Sequence, residues 1–216
     1  MPVPPLATPA DHLRRDGVYI QSHLQADPET AALANVLETA QEGLIKAIGG
    51  LQPVDTAAIM AAAVADFRLN AVQRAIVAFG TKCFGHFGSR QDPGYLLVYP
   101  VAPSSIAHAA QGERAELVAK LRKAATSSTL PKELAPAAKV LVAAIDEWTA
   151  GDAAAATAND ALEKANKTVA MAADAWQTAV RKLRGKLIDL FPRDIKRQRS
   201  YFPPAKPAKK PPQGPA

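Results

Sequence analysis

The pair Cys83 and His86 is the first place where this sequence could do chemistry. Two intervening residues is the spacing of a zinc half-site. A closed zinc site needs four ligands, and the remaining histidines, at positions 12, 23 and 108, show no partner spacing. Cys83 also falls on a row of apolar residues at helical spacing, where a small buried hydrophobe is expected. We therefore predict a core cysteine and no metal or cofactor site, with a ligand or nucleophile at Cys83 as the alternative.

Other catalytic motifs fail on individual residues. Gly80 and Gly85 have the glycine spacing of a phosphate-binding P-loop, but His86 stands where the lysine is required. Carboxylate-bridged di-iron bundles need a glutamate three residues before a histidine, and this pattern does not occur. The Gly-x-Ser-x-Gly motif of serine hydrolases and the Gly-x-Gly-x-x-Gly motif of dinucleotide-binding folds also do not occur in the sequence. We expect that the protein is not an enzyme.

Positive charge is concentrated at the C-terminus. Residues 181–216 contain eleven Lys or Arg and two Asp, a net charge of +9, so that residues 1–180 carry −3 of the total +6. Cations near the end of a helix complement its dipole, which accounts for the first four of these residues without a binding role. The remaining candidates for polyanion binding are Arg193, Lys196, Arg197, Arg199, Lys206, Lys209 and Lys210. A Pro-rich docking arm and a solubilising terminus are the alternatives.

Composition predicts an all-α fold. Alanine is abundant and aromatic residues are 6% of the chain, and alanine has the highest helix propensity. A single cysteine excludes a scaffold held by intramolecular disulfides. We predict an antiparallel helical bundle of about four main helices with short accessory helices.

Prolines and glycines suggest the helix boundaries. Thr8-Pro9 and Asp27-Pro28 are typical helix starts, whereas Gly49-Gly50 and Gly151 are typical stops. A helix at 105–125 is expected to be interrupted near Gly112. Residues 85–105 are predicted to be irregular, with an extended apolar run from Tyr95 to Tyr99.

Two apolar rows at 4-3-4-3 spacing predict helix faces that pack together in one core. The first row is Ala58, Ala62, Ala65, Leu69, Val72, Ile76, Phe79 and Cys83. The second row is Leu162, Asn166, Val169, Ala173, Trp176, Val180, Leu183 and Leu187. The rows superpose at an offset of 104 residues, and aromatic-proline pairs follow both. Two duplicated helical hairpins would produce this pattern, and so would any two amphipathic helices.

The predicted organisation is a flexible start at 1–8, a helical bundle at 9–202 with possible halves 9–104 and 105–202, and a disordered Pro/Lys-rich tail at 203–216. The N-terminal residues lack a charged start followed by an apolar stretch, so no secretory signal is expected. The longest uninterrupted apolar run is nine residues, from Ala57 to Ala65, against about 20 for a membrane span. We therefore expect a cytoplasmic protein with no membrane contact.

Two functions remain open on the sequence alone. The first is a structural or protein-interaction role, in which the bundle self-associates or binds a protein partner. The second is a nucleic-acid-binding accessory role through the basic C-terminal helix end and tail. No residue pattern names a substrate or a partner.

Overall fold

A computed structural model describes residues 9–204, and in this range the chain is all-α, as predicted. No strand occurs among these residues. The helices are α1 (Ala10–Ala26), α2 (Asn35–Phe87), α3 (Pro93–Val98), α4 (Pro103–Ala107), α5 (Gln111–Ala125), α6 (Ala135–Leu190) and α7 (Ile195–Ser200). Short 3₁₀ turns, Ala31–Leu33 and Lys132–Leu134, precede the long helices α2 and α6. The flexible start predicted at 1–8 and the predicted tail beyond Pro204 lie outside the described residues.

The glycine stops predicted from the sequence are wrong. Helix α2 continues through Gly49 and Gly50, and α6 continues through Gly151. A glycine inside a helix costs only about 1 kcal/mol relative to alanine, which packing elsewhere along a long helix can offset. At Gly151 the compensation is visible, because the missing side chain lets the helix lie against Ala65 and Arg68 of α2.

The end of α2 shows what a true stop requires. Gly88 has φ of +73°, a conformation that glycine adopts without a steric penalty. Its N–H donates to the carbonyl of Phe84 at 2.8 Å, so the last turn is closed by the backbone. Gly49, Gly50 and Gly151 do not have positive φ and therefore do not end their helices.

The segment from 85 to 105, predicted to be irregular, contains two short helices. The apolar run from Tyr95 lies mostly in α3 and is not extended. Asp92 caps this helix, since its Oδ1 accepts a hydrogen bond of 2.7 Å from the N–H of Gly94, and Pro93 occupies the first turn. The helix start predicted from the other Asp-Pro pair, Asp27-Pro28, is wrong, because only turns and the 3₁₀ turn Ala31–Leu33 follow it and α2 begins at Asn35. The predicted helix at 105–125 is divided into α4 and α5, and Gly112 lies in the first turn of α5.

The chain forms two compact units, whose boundaries fall inside α2 and α6. Unit 1 combines the described residues up to Val54 with those from Leu162 onward, and unit 2 is Asp55–Ala161. The proposed duplication, with halves 9–104 and 105–202, stays a prediction.

Unit 1 is held by an apolar core from three helices. Helix α1 contributes Leu13, Ile20 and Leu24, while α2 and α6 contribute leucines, Val180 and the fully buried Trp176. In α1 the buried residues recur every three or four positions, which places them on one face of the helix.

Unit 2 has a core of its own. Its buried residues come from α2, α5 and α6 and from both short helices. Tyr99, just after α3, is 1% exposed, and its hydroxyl donates a hydrogen bond of 2.7 Å to the carbonyl of Ile76. Pro103 at the start of α4 lies directly over Gly80, where a side chain would collide with the proline ring. The chain after α2 is therefore anchored back onto that helix.

The two predicted rows are buried over most of their length, but the prediction of a single core is wrong. Val72, Ile76 and Phe79 are buried in the core of unit 2, whereas Trp176 and Val180 are buried in unit 1. Ala62 and Asn166, which also belong to the rows, are not buried. The sequence pattern identifies which face of a helix is buried, and carries no information on which neighbouring helix covers it.

Candidate interaction surfaces

Cys83 is fully buried in unit 2, as expected for a core cysteine. Burial raises the pKa of its thiol from 9.0 to about 11, because the thiolate would lose its hydration. His86 is exposed and contacts Phe87 edge-on, so the two residues with half-site spacing lie in different environments. Within residues 9–204 no three His, Cys, Asp or Glu side chains converge as a metal site would require.

The glycine pair that resembles a P-loop lies within the last turns of α2. A P-loop cradles phosphates with backbone N–H groups that are free of helical hydrogen bonds. From Gly80 to Gly85 the backbone is helical, so these groups are committed to the helix.

The predicted polyanion-binding residues have different environments. Arg193, Lys196 and Arg199 lie in and just before α7 and keep part of their surface in solvent. Arg199 lines a cavity of about 210 Å³ together with Arg184 and Phe202. The remaining candidates, Lys206, Lys209 and Lys210, lie outside the described residues.

Arg197 differs from the other basic candidates because protein carboxylates already bind it. Its Nη2 lies 2.7 Å from Asp27 Oδ2 and 2.9 Å from Glu29 Oε2. Its guanidinium also stacks 4.0 Å from the ring centre of Phe191. The Tyr201 hydroxyl donates to Asp27 in a short hydrogen bond.

This arrangement fastens the end of the described chain to the turn after α1. The hydrogen bonds from Arg197 and then Tyr201 lower the pKa of Asp27 from 3.8 to about 2, because both favour its charged form. Tyr201 is 3% exposed and stacks with Phe191 at 6.3 Å, so this tyrosine packs back onto the helices. The sequence marks Asp27 only as a helix start, and its partners lie too far along the chain for spacing to reveal them.

Helix α2 also carries an exposed apolar surface, which was not among the sites predicted from the sequence. Thr56, Met60, Ala63 and Phe67 follow each other at 4-3-4 spacing on the side opposite the buried row. With the adjacent Ile59 and Val64 they form what we call the outer row. Ile59 is 63%, Met60 65%, Val64 47% and Phe67 70% exposed. No charged residue occurs between Thr56 and Ala65. A search for a second heptad in the same helix would have found this row.

The inner face of the same stretch is built from small residues. Ala58, Ala65 and Ala155 are buried, and Gly151 of α6 approaches the backbone of Ala65. Arg68 lies along this contact and donates a hydrogen bond of 3.1 Å to the carbonyl of Glu147. Helix α2 is therefore apolar on both faces here, a pattern typical of a helix that is covered on both sides.

By length and composition, α2 could also cross a membrane. The segment Ala31–Phe87 includes a window with a mean hydropathy of 1.3, of which 6% is buried. Uninterrupted apolar runs did not indicate this, because polar residues such as Gln52, Asp55 and Thr56 divide the apolar stretch. The same composition fits a helix whose exposed side packs against protein.

Comparison with protein-family models, curated proteins and solved structures found no match to this chain, so its function is inferred from these surfaces.

Proposed function

We propose that this is a non-enzymatic helical-bundle protein with a structural or interaction role, which binds a protein surface through the outer row of α2. The observation that carries the proposal is the exposure of Met60 and Phe67 at 65% and 70% beside Ile59 and Val64. Contiguous apolar patches of this kind usually mark sites of interaction in soluble proteins. A cytoplasmic location is part of the proposal.

The bundle in this proposal has α1, α2, α5 and α6 as its main antiparallel helices. They are the longest described helices, at 17, 53, 15 and 56 residues. Shared cores support this arrangement in each unit, since α1 packs with α2 and α6 in unit 1 and α5 packs with the same two helices in unit 2. An ion pair between Arg122 of α5 and Asp146 of α6, at 2.8 Å, adds a polar contact at the edge of unit 2.

The proposal is tested by the size of the complex in extracts of cells that express the full chain. Met60→Asp with Phe67→Asp places two charges in the outer row without touching either core. We expect the wild-type chain to elute above 22.8 kDa and the variant to elute at a smaller size. The matched control is Leu97→Asp with Met171→Asp, because these residues are 76% and 74% exposed and lie outside the row. Equal elution of all three proteins would contradict the proposal.

A second function, binding of nucleic acid, is favoured by one observation. Arg184 and Arg199 line the same cavity as Phe202. Guanidinium groups bind phosphates, and an aromatic ring can stack on a base, so this combination fits single-stranded nucleic acid. Arg193 and Lys196 add positive charge nearby along the chain.

Retention on immobilised DNA at increasing salt tests this second function. Neutralising Arg193, Lys196 and Arg199 to Gln should lower the salt needed for elution from single-stranded DNA, and the salt dependence should flatten by about 0.7 for each phosphate that is no longer bound. Neutralising Lys120, Lys123 and Lys139 to Gln is the control, since it removes the same charge from unit 2. Arg197 is left unchanged because Asp27 already binds it. No retention of the wild-type protein at low salt would exclude this function.

A further inference from the structure

We infer that the outer row binds a second copy of this chain. In the resulting dimer, the two α2 helices are antiparallel and cross at Ala63 and Val64. This inference rests on the proposed function and names its partner. In this arrangement, α2 and α6 of each copy would form a layer of four helices, with the outer row at its centre.

The outer row is complementary to itself. Met60 lies three residues before Ala63, and Phe67 lies three residues after Val64. Around a twofold axis that passes between the two helices at the level of Ala63 and Val64, Phe67 of each copy therefore meets Met60 of the other. Methionine sulfur packs favourably against an aromatic ring, and the small Ala63 lets the helices approach closely at the crossing point. A different partner would have to supply this size pattern, whereas a second copy already has it.

The size of the row also fits a second copy. Four large side chains at these exposures leave on the order of 400 Å² of apolar surface per copy, about 800 Å² for two copies. Thr56 at the end of the row and the flanking Ala57, Asn70 and Ala71 extend this surface. Their burial brings the total to roughly 1,200 Å², the lower edge of a specific stable interface. Pairing therefore yields a reversible dimer and leaves little apolar surface on the exposed side of this stretch.

The charges around the row favour protein over lipid. Asp55 and Asp66 are the nearest charged residues on either side of the uncharged stretch. Helices that bind anionic membrane surfaces carry lysine and arginine at their polar borders, and acidic borders are repelled by such surfaces. Arg68, the next residue of α2 with a positive charge, is turned toward Glu147 of α6.

Light scattering and sedimentation of the purified full-length protein test the inference. We expect a mass of twice 22.8 kDa at micromolar concentration, falling to 22.8 kDa on dilution. Met60→Asp with Phe67→Asp should weaken dimerisation at least about 100-fold, since a central charge in an apolar interface costs a large part of the binding energy. Leu97→Asp with Met171→Asp should leave it unchanged. Equal helicity of the two variants, and equal melting temperatures at a dilution where both are monomeric, exclude misfolding as the cause.

Cysteine cross-linking tests the crossing point. Ala63→Cys should form a disulfide-linked dimer on mild oxidation, because the crossing brings the two side chains together. Ala62→Cys is the matched control: the residue is exposed, but it points away from the row. The native Cys83 is buried and should not contribute. Equal cross-linking at 62 and 63 would overturn the proposed interface.

Different results would contradict the homodimer and the interaction role of the outer row. A purified protein that stays monomeric at all concentrations overturns the second copy, while a row-dependent complex in extracts would still support the interaction role. If the monomer instead binds neutral phosphatidylcholine vesicles, and this binding is lost in the Met60→Asp/Phe67→Asp variant, the row contacts lipid and both proposals are wrong. If the double variant dimerises like the wild type, the outer row is not the interface.

Discussion

The indole Nε1 of Trp176 donates a hydrogen bond of 2.6 Å to Oε1 of Gln41, and both side chains are buried in unit 1. Gln41 also donates from Nε2 to the carbonyl of Arg14 at 2.8 Å. One amide therefore links α1, α2 and α6. Gly17 makes room for it, because a side chain at that position would overlap the amide of Gln41. A buried polar group that is satisfied on both sides specifies how these helices align.

Replacing Gln41 with Met should reduce the free energy of unfolding by about 1–3 kcal/mol, since the indole N–H would be buried without its acceptor. Urea denaturation followed by Trp fluorescence measures this loss. The matched control is the same change in a Trp176→Phe background, where no N–H remains to be satisfied and the loss should be smaller. An equal loss in both backgrounds would mean that the hydrogen bond does not contribute.

Asp27 should make the stability of unit 1 depend on pH. Its pKa is 3.8 when unfolded and about 2 when folded, so the carboxylate stabilises the fold above about pH 4. This stabilisation is lost as the pH falls from about 4 toward 2. We expect the wild-type protein to be more stable than Asp27→Asn at neutral pH, with the difference vanishing near pH 2. Denaturation curves between pH 7 and pH 2, with the exposed Asp160→Asn as the charge-matched control, measure this. A difference that is independent of pH would contradict the assignment.

Two glycines of α2 should respond to alanine in opposite directions. At Gly80 a new Cβ would lie 2.9 Å from Cβ of Pro103, so Gly80→Ala should cost about 1–3 kcal/mol by overpacking. At Gly85 a new Cβ meets nothing within 4 Å, and Gly85→Ala should stabilise the helix by about 0.5–1 kcal/mol. Thermal unfolding of both variants measures the contrast. Similar melting temperatures would show that α4 does not pack on Gly80.

Cys83 should react slowly with thiol reagents while the protein is folded. A rise in pKa from 9.0 to about 11 reduces the thiolate population about 100-fold at pH 8, and burial also blocks access. We expect rapid labelling only in denaturant. An exposed cysteine in a Cys83→Ala/Ala62→Cys variant is the control and should label rapidly in both states. Fast native labelling of the wild type, or stoichiometric zinc bound by Cys83 and His86, would reverse the assignment.

The sequence predicts this fold where the information is local. The 4-3-4-3 rows correctly identify Val72 and Trp176 as buried, because helical periodicity relates residues only a few positions apart. The stop predicted at Gly151 is wrong, because the compensating contact with Arg68 comes from a distant part of the chain. Arg197 was likewise predicted to be available for polyanion binding, because its partner Asp27 lies 170 residues away in the sequence.

The outer row escapes the sequence for a different reason. The sequence was read on the assumption that each helix has a single apolar face. Helix α2 has two such faces, because the outer row repeats at the same spacing as the buried row. Met60 and Phe67 are visible in the sequence, but their exposure can be known only after Ala58 and Ala65 have been placed on the buried side. Side-chain exposure, and with it the candidate site, depends on tertiary structure.

The passage of α2 through Gly49, Gly50 and Pro53 has a consequence for how long its hydrogen bonds last. Pro53 has no N–H, so the carbonyl of Gly49 receives no bond from the residue four positions ahead. No side chain shields the two glycines, because a Cβ at either position would meet no atom within 4 Å. The amide protons of this turn will therefore exchange with solvent earlier than those around Val72, and a protease is expected to cut α2 first at this point. Helix α2 thus contains a turn that opens before the rest of the helix.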